Sequence, residues 1–361
     1  STSRMAPNIF TWAVAGPLSL GWISLSYPLN TFSTMIGLRQ KPQIIECPSD
    51  MRCKTVIVTG ANCGVGYRTA AWIAKMGGTV ILACRSKEKG EAAQQVLMEE
   101  LAVGEERFPH SGEGRVLFRE LDLGDLHSVQ SFAEKVLLEF KDIDVLINNA
   151  GVNDGGRTKQ GLDEVFGVNF IGHFLLTSLL LERLKQNKNG ARIVNLASVV
   201  HRFAPDDCDF EASALGRDKI HNYQNSKLAM VLFTRELERR LAATKVRVFA
   251  VNPGAVRSEI WRTWHGVSKQ VLNAAMAMLF LSPDEGSATS VHVATQPLEK
   301  LENYYYSPYY APEWMPLAFE MLGPFAGAQS TAPNLPKNEK SKSLELWILC
   351  ENIISESLNE K

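Results

Sequence analysis

A tyrosine and a lysine four residues apart could carry acid–base chemistry. Tyr223 and Lys227 lie in the stretch HNYQNSK at 221–227, and in a helix both side chains would share one face. A free tyrosine titrates near pH ~10, which is too high for proton transfer at neutral pH. A neighbouring ammonium group favours the phenolate and lowers that pKa. An ordinary helix surface shows the same spacing, so the meaning of the pair depends on its surroundings.

A glycine-rich turn follows the first strongly apolar run. Thr55–Thr59 leads into TGANCGVG at 59–66 and then into a helical pattern. Glycines allow a tight turn and let the backbone approach a pyrophosphate, which then lies at the helix N-terminus. The position directly after a buried strand favours a dinucleotide site over an ordinary turn. The candidate cofactor contacts in this turn are Gly60, Asn62, Gly64, Val65 and Gly66.

Polar residues stand at the ends of the next three apolar runs. Arg85 follows the second, and an arginine there suits the 2′-phosphate of NADP, whereas an acidic residue would meet the 2′-hydroxyl of NAD. Asp122 closes the third, where a carboxylate can reach an adenine ring, and NNAG at 148–151 closes the fourth. The alternatives are a surface arginine and ordinary turn residues. The candidate cofactor contacts at these ends are Arg85, Asp122, Leu123, Asn149, Ala150 and Gly151.

Six short apolar runs alternate with helical patterns from Lys54 onward. Such continuous apolar runs are typical of strands buried on both faces of a parallel sheet. We predict strands at Thr55–Thr59, Thr79–Ala83, Arg115–Glu120, Asp144–Asn148, Arg192–Leu196 and Arg247–Val251. The alternation implies right-handed crossovers and an α/β fold with a doubly wound parallel sheet, the Rossmann fold, in a single domain.

Taken together, the motifs resemble the short-chain dehydrogenase/reductase superfamily. TGANCGVG, LDL, NNAG, VNFIGHF, LAS, YQNSK and NPGAV occur in that family's order, between about Lys54 and Gln296. Within it, ACRSKEKGE, VNFIGHFLLTSLLLERL and NPGAVRSEI look like the retinol-dehydrogenase-like branch. The stretch HRFAPDDCDFE also resembles an insertion of that branch. Cys63 departs from the pattern, because it replaces a serine or threonine, which puts a hydroxyl contact to phosphate in doubt.

The resemblance implies a catalytic tetrad and hydride transfer between NADP(H) and a carbonyl or alcohol carbon. Tyr223 would donate a proton to the developing alkoxide, and Ser198 would hydrogen-bond the same oxygen. Lys227 would bind the nicotinamide ribose and hold the tyrosine pKa down, and Asn169 would place a water in the proton path. The further cofactor contacts that it implies are Val168, Tyr223, Lys227, Pro253, Gly254, Val256 and Ser258.

An apolar, aromatic segment follows the sixth predicted strand. Trp261 and Trp264 come shortly after NPGAVRS, before an apolar helical pattern at Val271–Leu281. We predict that both tryptophans contact a lipophilic alcohol, aldehyde or ketone, such as a retinoid, polyprenoid, fatty aldehyde or sterol. The alternative is that these residues pack against a second subunit or a membrane.

Three classes of function remain in view. The first is an NADP(H)-dependent oxidoreductase for lipophilic substrates, and the second is a catalytically silent, NADP-bound scaffold or regulator, against which the filled tetrad speaks. The third is an acyl-transfer enzyme using Ser198 and His201, but the sequence lacks the G-x-S-x-G elbow that such an enzyme would have.

The balance of 38 basic and 39 acidic residues gives no case for nucleic-acid binding, and no metal-binding spacing of cysteine or histidine occurs.

The amino-terminal segment has no charged residue between Arg4 and Arg39. Within it, Ile9–Leu29 has about the length of a membrane span, although Pro17 and Pro28 interrupt it. A signal-anchor helix, a hairpin in one leaflet and a segment packed on the domain all stay open. We expect residues 6–38 to attach the chain to a membrane, that of the endoplasmic reticulum, with the catalytic domain facing the cytosol.

The chain therefore divides into three parts. Residues 1–51 form the apolar amino-terminal segment, residues 52–300 the NADP-binding domain, and residues 301–361 an extension that caps the substrate mouth and ends in a helix. Within the extension we predict a loop at Gly323–Lys342 and a helix at Ser343–Leu358. The resemblance also implies a homodimer, paired through Leu162–Lys185 and Lys227–Leu241.

Overall fold

The computed structural model describes residues 49–103, 108, 110–257, 280–309, 325–333 and 335–359. The predicted membrane-attachment segment at residues 6–38 lies outside the described residues. The same holds for Ser258, Trp261 and Trp264.

An eight-stranded sheet forms the centre of the described part of the chain, in the order β3-β2-β1-β4-β5-β6-β7-β8. Its neighbouring strands are parallel except for β7 and β8, which are antiparallel. The strands are β1 Thr55–Thr59, β2 Thr79–Cys84, β3 Arg115–Glu120, β4 Val145–Asn148, β5 Ala191–Leu196, β6 Val246–Val251, β7 Tyr305–Tyr309 and β8 Phe325–Ser330. The doubly wound parallel sheet is confirmed.

Helices cover both faces of the sheet. They are α1 Gly64–Lys75, α2 Lys87–Val103, α3 Leu126–Glu139, α4 Glu164–Gln186, α5 Phe210–Ala214, α6 Asn222–Arg240, α7 Pro283–Thr295 and α8 Glu339–Asn359. Successive strand residues point to opposite faces. In β1, Ile57 therefore packs with α3, α4, α6 and α8, whereas Val56 and Val58 pack with α1, α2 and α7. The result is a three-layer α/β/α sandwich with a core on each side of the sheet.

Helix α4 runs through one of these cores. It is long and apolar enough to cross a membrane, but 78% of its most apolar window is buried within the protein. Burial of this extent is what a core helix of a sandwich shows. The winding widens to a π turn over Gly167–Ile171 before ordinary α-helix resumes.

The carboxyl-terminal extension adds structure that the sequence patterns did not predict. The loop predicted at Gly323–Lys342 is wrong, because this stretch contains β8 and the start of α8. β8 has the sequence FAGAQS, which has little strand preference of its own, and it forms through pairing with β7. The predicted helix at Ser343–Leu358 is confirmed and is part of α8.

Helix α8 packs on the outer face of α4 and α6. The Trp347 ring lies 4.9 Å from the Phe174 ring and 5.9 Å from the Phe233 ring. The Arg240 guanidinium stacks on the same indole, 3.8 Å from its centroid. A homodimer through α4 and α6 stays a prediction, and α8 covers part of the surface that it would use.

Candidate active site

Most of the candidate residues lie at the carboxyl edge of the sheet, where β1, β4, β5 and β6 end. β1 has β2 on one side and β4 on the other, so the strand order reverses direction at β1. In open α/β sheets, ligands bind in the crevice that such a reversal opens. The fold therefore brings the polar residues at these strand ends to the edge of the sheet where a ligand can enter.

The glycine turn after β1 forms a cradle that has no room for a side chain at Gly60 or Gly66. Gly60 and Gly64 have φ values of +64° and +60°, which glycine adopts readily. A Cβ on Gly66 would lie 2.3 Å from Nδ2 of Asn149 and 2.6 Å from the Gly60 carbonyl. Cys63 is the N-cap of α1 and makes no side-chain capping bond there. The cradle and this helix start fit a dinucleotide pyrophosphate.

The hydroxyl of Thr59 joins the ends of β1 and β4. Its Oγ1 accepts hydrogen bonds from the backbone N–H groups of Asn149 at 2.8 Å and Ala150 at 2.9 Å. The side-chain amide of Asn149 makes a second bond across this junction, because its Nδ2 donates to the Thr59 carbonyl at 2.7 Å. The Asn149 side chain therefore holds the start of the glycine turn by a hydrogen bond within the protein. The sequence patterns did not single out Thr59.

Arg85 and Asp122 follow β2 and β3 at the same edge of the sheet. Oδ1 of Asp122 accepts from the backbone N–H of Gly124 at 2.9 Å, which fixes the carboxylate in the turn before α3. Arg85 has a side chain 64% exposed and donates to Oε1 of Glu164 at 3.3 Å. An exposed pair of this kind contributes little to stability, so the guanidinium is available to a ligand.

Asn169 lies in the π turn of α4 and clamps the segment after β4. Its Nδ2 donates to the Val152 carbonyl at 2.8 Å and to Ser226 Oγ at 3.1 Å, and its Oδ1 accepts from the Val152 N–H at 2.7 Å. A Cβ on Gly151 would lie 3.4 Å from Asn169 Oδ1 and 3.5 Å from Lys227 Nζ. The structure thus brings Gly151, Asn169 and Lys227 together.

Ser198 follows β5 and caps the short 3₁₀ helix Val199–Phe203. Its Oγ accepts from the Val200 N–H at 3.4 Å. The adjacent Val199 N–H donates to Oδ1 of Asn252, which also accepts from the Gly254 N–H. Asn252 thereby joins the Ser198 segment to the NPG turn after β6, a link that the sequence reasoning missed.

Tyr223 and Lys227 lie in the first two turns of α6. Lys227 is buried, and its Nζ donates to the Leu196 carbonyl at 3.0 Å, at the end of β5. Nζ is 5.8 Å from the centroid of the Tyr223 ring. The predicted helical placement of the pair is therefore present, and Leu196 supplies the contact that holds the lysine toward the sheet.

Burial shifts the pKa values of this pair apart. It raises the pKa of Tyr223 to about 12 and lowers the pKa of Lys227 to about 8. The expected lowering of the Tyr223 pKa by Lys227 is not present in the protein chain alone, and for the chain with its cofactor it stays a prediction. The physical reason is that loss of hydration disfavours both the phenolate and the ammonium, and no ammonium contact to the phenol oxygen offsets it.

A buried polar ladder supports these strand ends from below. Asn148 Nδ2 donates to Thr177 Oγ1 at 2.9 Å and to Asn195 Oδ1 at 2.8 Å. Asn195 Nδ2 then donates to Thr234 Oγ1 at 2.9 Å. The ladder ties β4 to α4 and β5 to α6. Helix α4 carries Asn169, α6 carries Tyr223 and Lys227, and Ser198 follows shortly after β5.

The family model described as short chain dehydrogenase matches residues 54–266, more than half of the chain. The chain belongs to the short-chain dehydrogenase family. As such it is an oxidoreductase with a site for a nicotinamide cofactor, which the glycine cradle fits.

Relatives place this short-chain dehydrogenase in the retinol-dehydrogenase-like branch. It is 39% identical over 281 residues to human retinol dehydrogenase 14, covering 76% of this chain and 83% of that protein. Identity to human retinol dehydrogenase 12 is 42% over 257 residues, covering 70% and 77%. The resemblance drawn from the motifs is therefore confirmed.

Solved structures show the same fold. An uncharacterized protein from Mycobacterium paratuberculosis aligns with a TM-score of 0.62 and 31% identity, covering 86% of this chain and 97% of that one. An alcohol dehydrogenase from Thermococcus sibiricus, complexed with 5-hydroxy-NADP, aligns with a TM-score of 0.52 and 25% identity, covering 72% and 99%.

Other predicted contacts lie close to this edge. Val65 packs against Val256, whereas Val168 is buried in the π turn of α4. Leu123 is buried, and Pro253 lies between Asn252 and Gly254. Among the described residues, no group of three histidine, cysteine or acidic side chains could hold a metal ion.

Gly66→Ala is expected to lower the affinity for a nicotinamide dinucleotide by about tenfold or more. The added methyl would meet Asn149 Nδ2 at 2.3 Å and displace it from the cradle. Fluorescence titration with NADPH and NADH measures the affinity. Gly112→Ala is the matched control, because a Cβ there meets nothing within 4 Å. Equal affinities in the two variants would contradict the cradle's role.

Proposed function

We propose that this short-chain dehydrogenase is an NADP(H)-dependent oxidoreductase that interconverts a lipophilic alcohol and its aldehyde or ketone. The observation that carries the proposal is the meeting of Gly151, Asn169 and Lys227 beside the glycine cradle, with Tyr223 one helical turn before Lys227. Asn169, Tyr223 and Lys227, together with Ser198 after β5, are the four residues that we assign to the family's tetrad.

The bound nicotinamide would supply the hydride acceptor or donor. Burial raises the pKa of Tyr223 to about 12, so its phenol is protonated at neutral pH and would give that proton to the developing alkoxide in reduction. The Ser198 hydroxyl would donate a hydrogen bond to the same oxygen. Lys227, charged below about pH 8, would stabilise negative charge on that oxygen and bind the ribose.

Asn169 would both hold the segment after β4 and bind a water. Both hydrogens of its side-chain amide are engaged, with Val152 and Ser226, so the expected water in the proton path would donate to an oxygen of Asn169. A carbonyl oxygen has two lone pairs and can accept a water besides a protein donor. The amide would keep the segment after β4 in place while protons move.

Tyr223→Phe is expected to reduce turnover by about a hundredfold or more, because the proton donor is lost. NADPH affinity should be retained. The assay follows NADPH oxidation by the purified full chain with a panel comprising a retinoid, a polyprenoid, a fatty aldehyde and a sterol ketone. Undiminished activity in the variant would refute the assignment of Tyr223. A wild-type protein that binds NADPH and turns over no member would instead be the silent scaffold.

NADP preference is proposed from Arg85 at the end of β2. Its guanidinium is exposed and pairs only weakly with Glu164, so a 2′-phosphate can replace the carboxylate. The archaeal structural relative was solved with an NADP derivative, which supports this choice.

Arg85→Ala is expected to weaken NADPH binding about tenfold and NADH binding less than about twofold, because only NADPH carries the 2′-phosphate. Dissociation constants for both cofactors measure the effect. Arg115→Ala, at the exposed opposite end of β3, is the control and should change neither. Equal losses for the two cofactors would place Arg85 away from the 2′-phosphate.

Reductive turnover is expected to fall as the pH rises through about 8. Lys227 is protonated below this value and neutral above it, whereas Tyr223 stays protonated throughout. Loss of the lysine charge removes stabilisation of the developing alkoxide. The kcat for reduction, measured at saturating NADPH across this pH range, tests it. A flat or rising profile would show that the lysine charge does not assist the step.

The substrate class rests on two supports. The relatives are named retinol dehydrogenases, and Trp261 and Trp264 give the segment after β6 an apolar, aromatic character. We propose attachment to the endoplasmic reticulum membrane through residues 6–38, with the catalytic domain facing the cytosol. A lipophilic substrate dissolved in that bilayer would then be within reach.

A further inference from the structure

Helix α4 carries three polar side chains on one buried face, at intervals of four residues. Asn169, His173 and Thr177 are all buried. Asn169 belongs to the predicted tetrad and Thr177 to the ladder beneath β4. His173 has no part in the chemistry described above, yet it is fully buried between the other two.

Both ring nitrogens of His173 have partners. Nδ1 is 3.0 Å from the Asn169 carbonyl oxygen, and Nε2 is 2.9 Å from Thr59 Oγ1. A carbonyl oxygen can only accept, so Nδ1 must carry the hydrogen. Nε2 of the neutral ring is then an acceptor, and the Thr59 hydroxyl donates to it.

The bond from Thr59 completes the hydrogen bonding of that hydroxyl. Thr59 Oγ1 has one hydrogen and two lone pairs, and the lone pairs accept from the N–H groups of Asn149 and Ala150. With its hydrogen on His173, the hydroxyl has every bond that it can make. An unbroken chain of hydrogen bonds therefore runs from the end of β4, through β1, to the π turn of α4.

We propose that His173 is a positioning residue of this site, which holds the Asn169 turn at a fixed place relative to the glycine cradle. This role rests on the proposed function, because it matters only if the Asn169 turn takes part in turnover. In a π turn the regular pairing of carbonyls is shifted, so a side-chain donor to the Asn169 carbonyl fixes a group that helix geometry alone would hold less firmly.

The chemistry of the position favours a neutral imidazole. Burial lowers the pKa of His173 to about 3, and the nearby Lys227 charge acts in the same direction. The ring therefore stays neutral at physiological pH, with one donor and one acceptor. Phenylalanine would fill the space without either bond, whereas an asparagine amide could still donate to the Asn169 carbonyl.

The test compares His173→Phe with His173→Asn in the full chain. Phe should lower kcat by about tenfold or more, because a small displacement of a catalytic turn is costly. NADPH affinity should change little, because the Thr59 hydroxyl can turn to the Ile147 carbonyl, 3.4 Å away, and still accept both N–H groups. Asn should recover most of the lost kcat.

Ser178→Ala is the matched control, since it removes a side-chain bond to the Phe174 carbonyl on the exposed side of the same helix. Its kcat should equal that of the wild type. A folded His173→Phe variant with kcat within about twofold of wild type would overturn the positioning role. An Asn variant no better than Phe would also overturn it.

A measurement on the wild-type protein covers the case in which His173→Phe fails to fold. Nitrogen-15 spectra of the labelled histidines should show His173 as the neutral ring with hydrogen on Nδ1. The opposite tautomer, or an imidazolium at neutral pH, would overturn the proposal. Absence of any wild-type turnover would defeat the proposed function alone, whereas turnover unaffected in His173→Phe would defeat only the role of His173.

Discussion

The junction between β1 and β4 is the contact on which the rest of the site depends. Thr59 is the last residue of β1, and its hydroxyl holds the two backbone N–H groups that follow β4. Asn149 closes the junction from the other side through the Thr59 carbonyl. Because the sheet order reverses at this point, the same junction defines the floor of the cofactor crevice.

The polar groups beneath this edge are costly unless every one is paired. A buried donor or acceptor left without a partner costs about 1–3 kcal/mol. The ladder through Asn148, Asn195 and Thr234 meets most of this demand by passing hydrogen bonds from strand to strand and on to the helices, and it leaves Asn148 Oδ1 without a partner. A network of this kind accepts few alternative arrangements, so the strand ends and the turns that follow them are held in one geometry.

The sequence predicted the strands of the parallel sheet well, because strands buried on both faces have a nearly continuous apolar sequence. All six predicted strands are present within one residue of their expected ends. The sequence of β8 has no comparable apolar pattern, since this strand depends on pairing with β7. The positions of Ser198, Tyr223 and Lys227 followed from motifs, but the contacts that hold them could not. Asn252 and Thr59 act through partners far apart in the chain, and only the fold brings these together.

A sequence signal for His173 did exist in the spacing of Asn169, His173 and Thr177. Polar residues at four-residue intervals share one helix face, and on a helix otherwise rich in leucine and phenylalanine that face must meet other polar groups. The pattern does not say which groups those are. The answer lies in the register that places β1 and β4 side by side, with Val58 opposite Ile147.

Desolvation also affects the proton transfer of the proposed reaction. With the pKa of Tyr223 near 12 and that of Lys227 near 8, both groups hold their protons at neutral pH. A protonated phenol beside a cation can give a proton to an alkoxide as it forms, which is the need of carbonyl reduction. Alcohol oxidation requires the phenolate as base, and burial makes that form costly. Burial thus favours the protonated phenol in the protein chain alone, and alcohol oxidation would require a further interaction that lowers the tyrosine pKa.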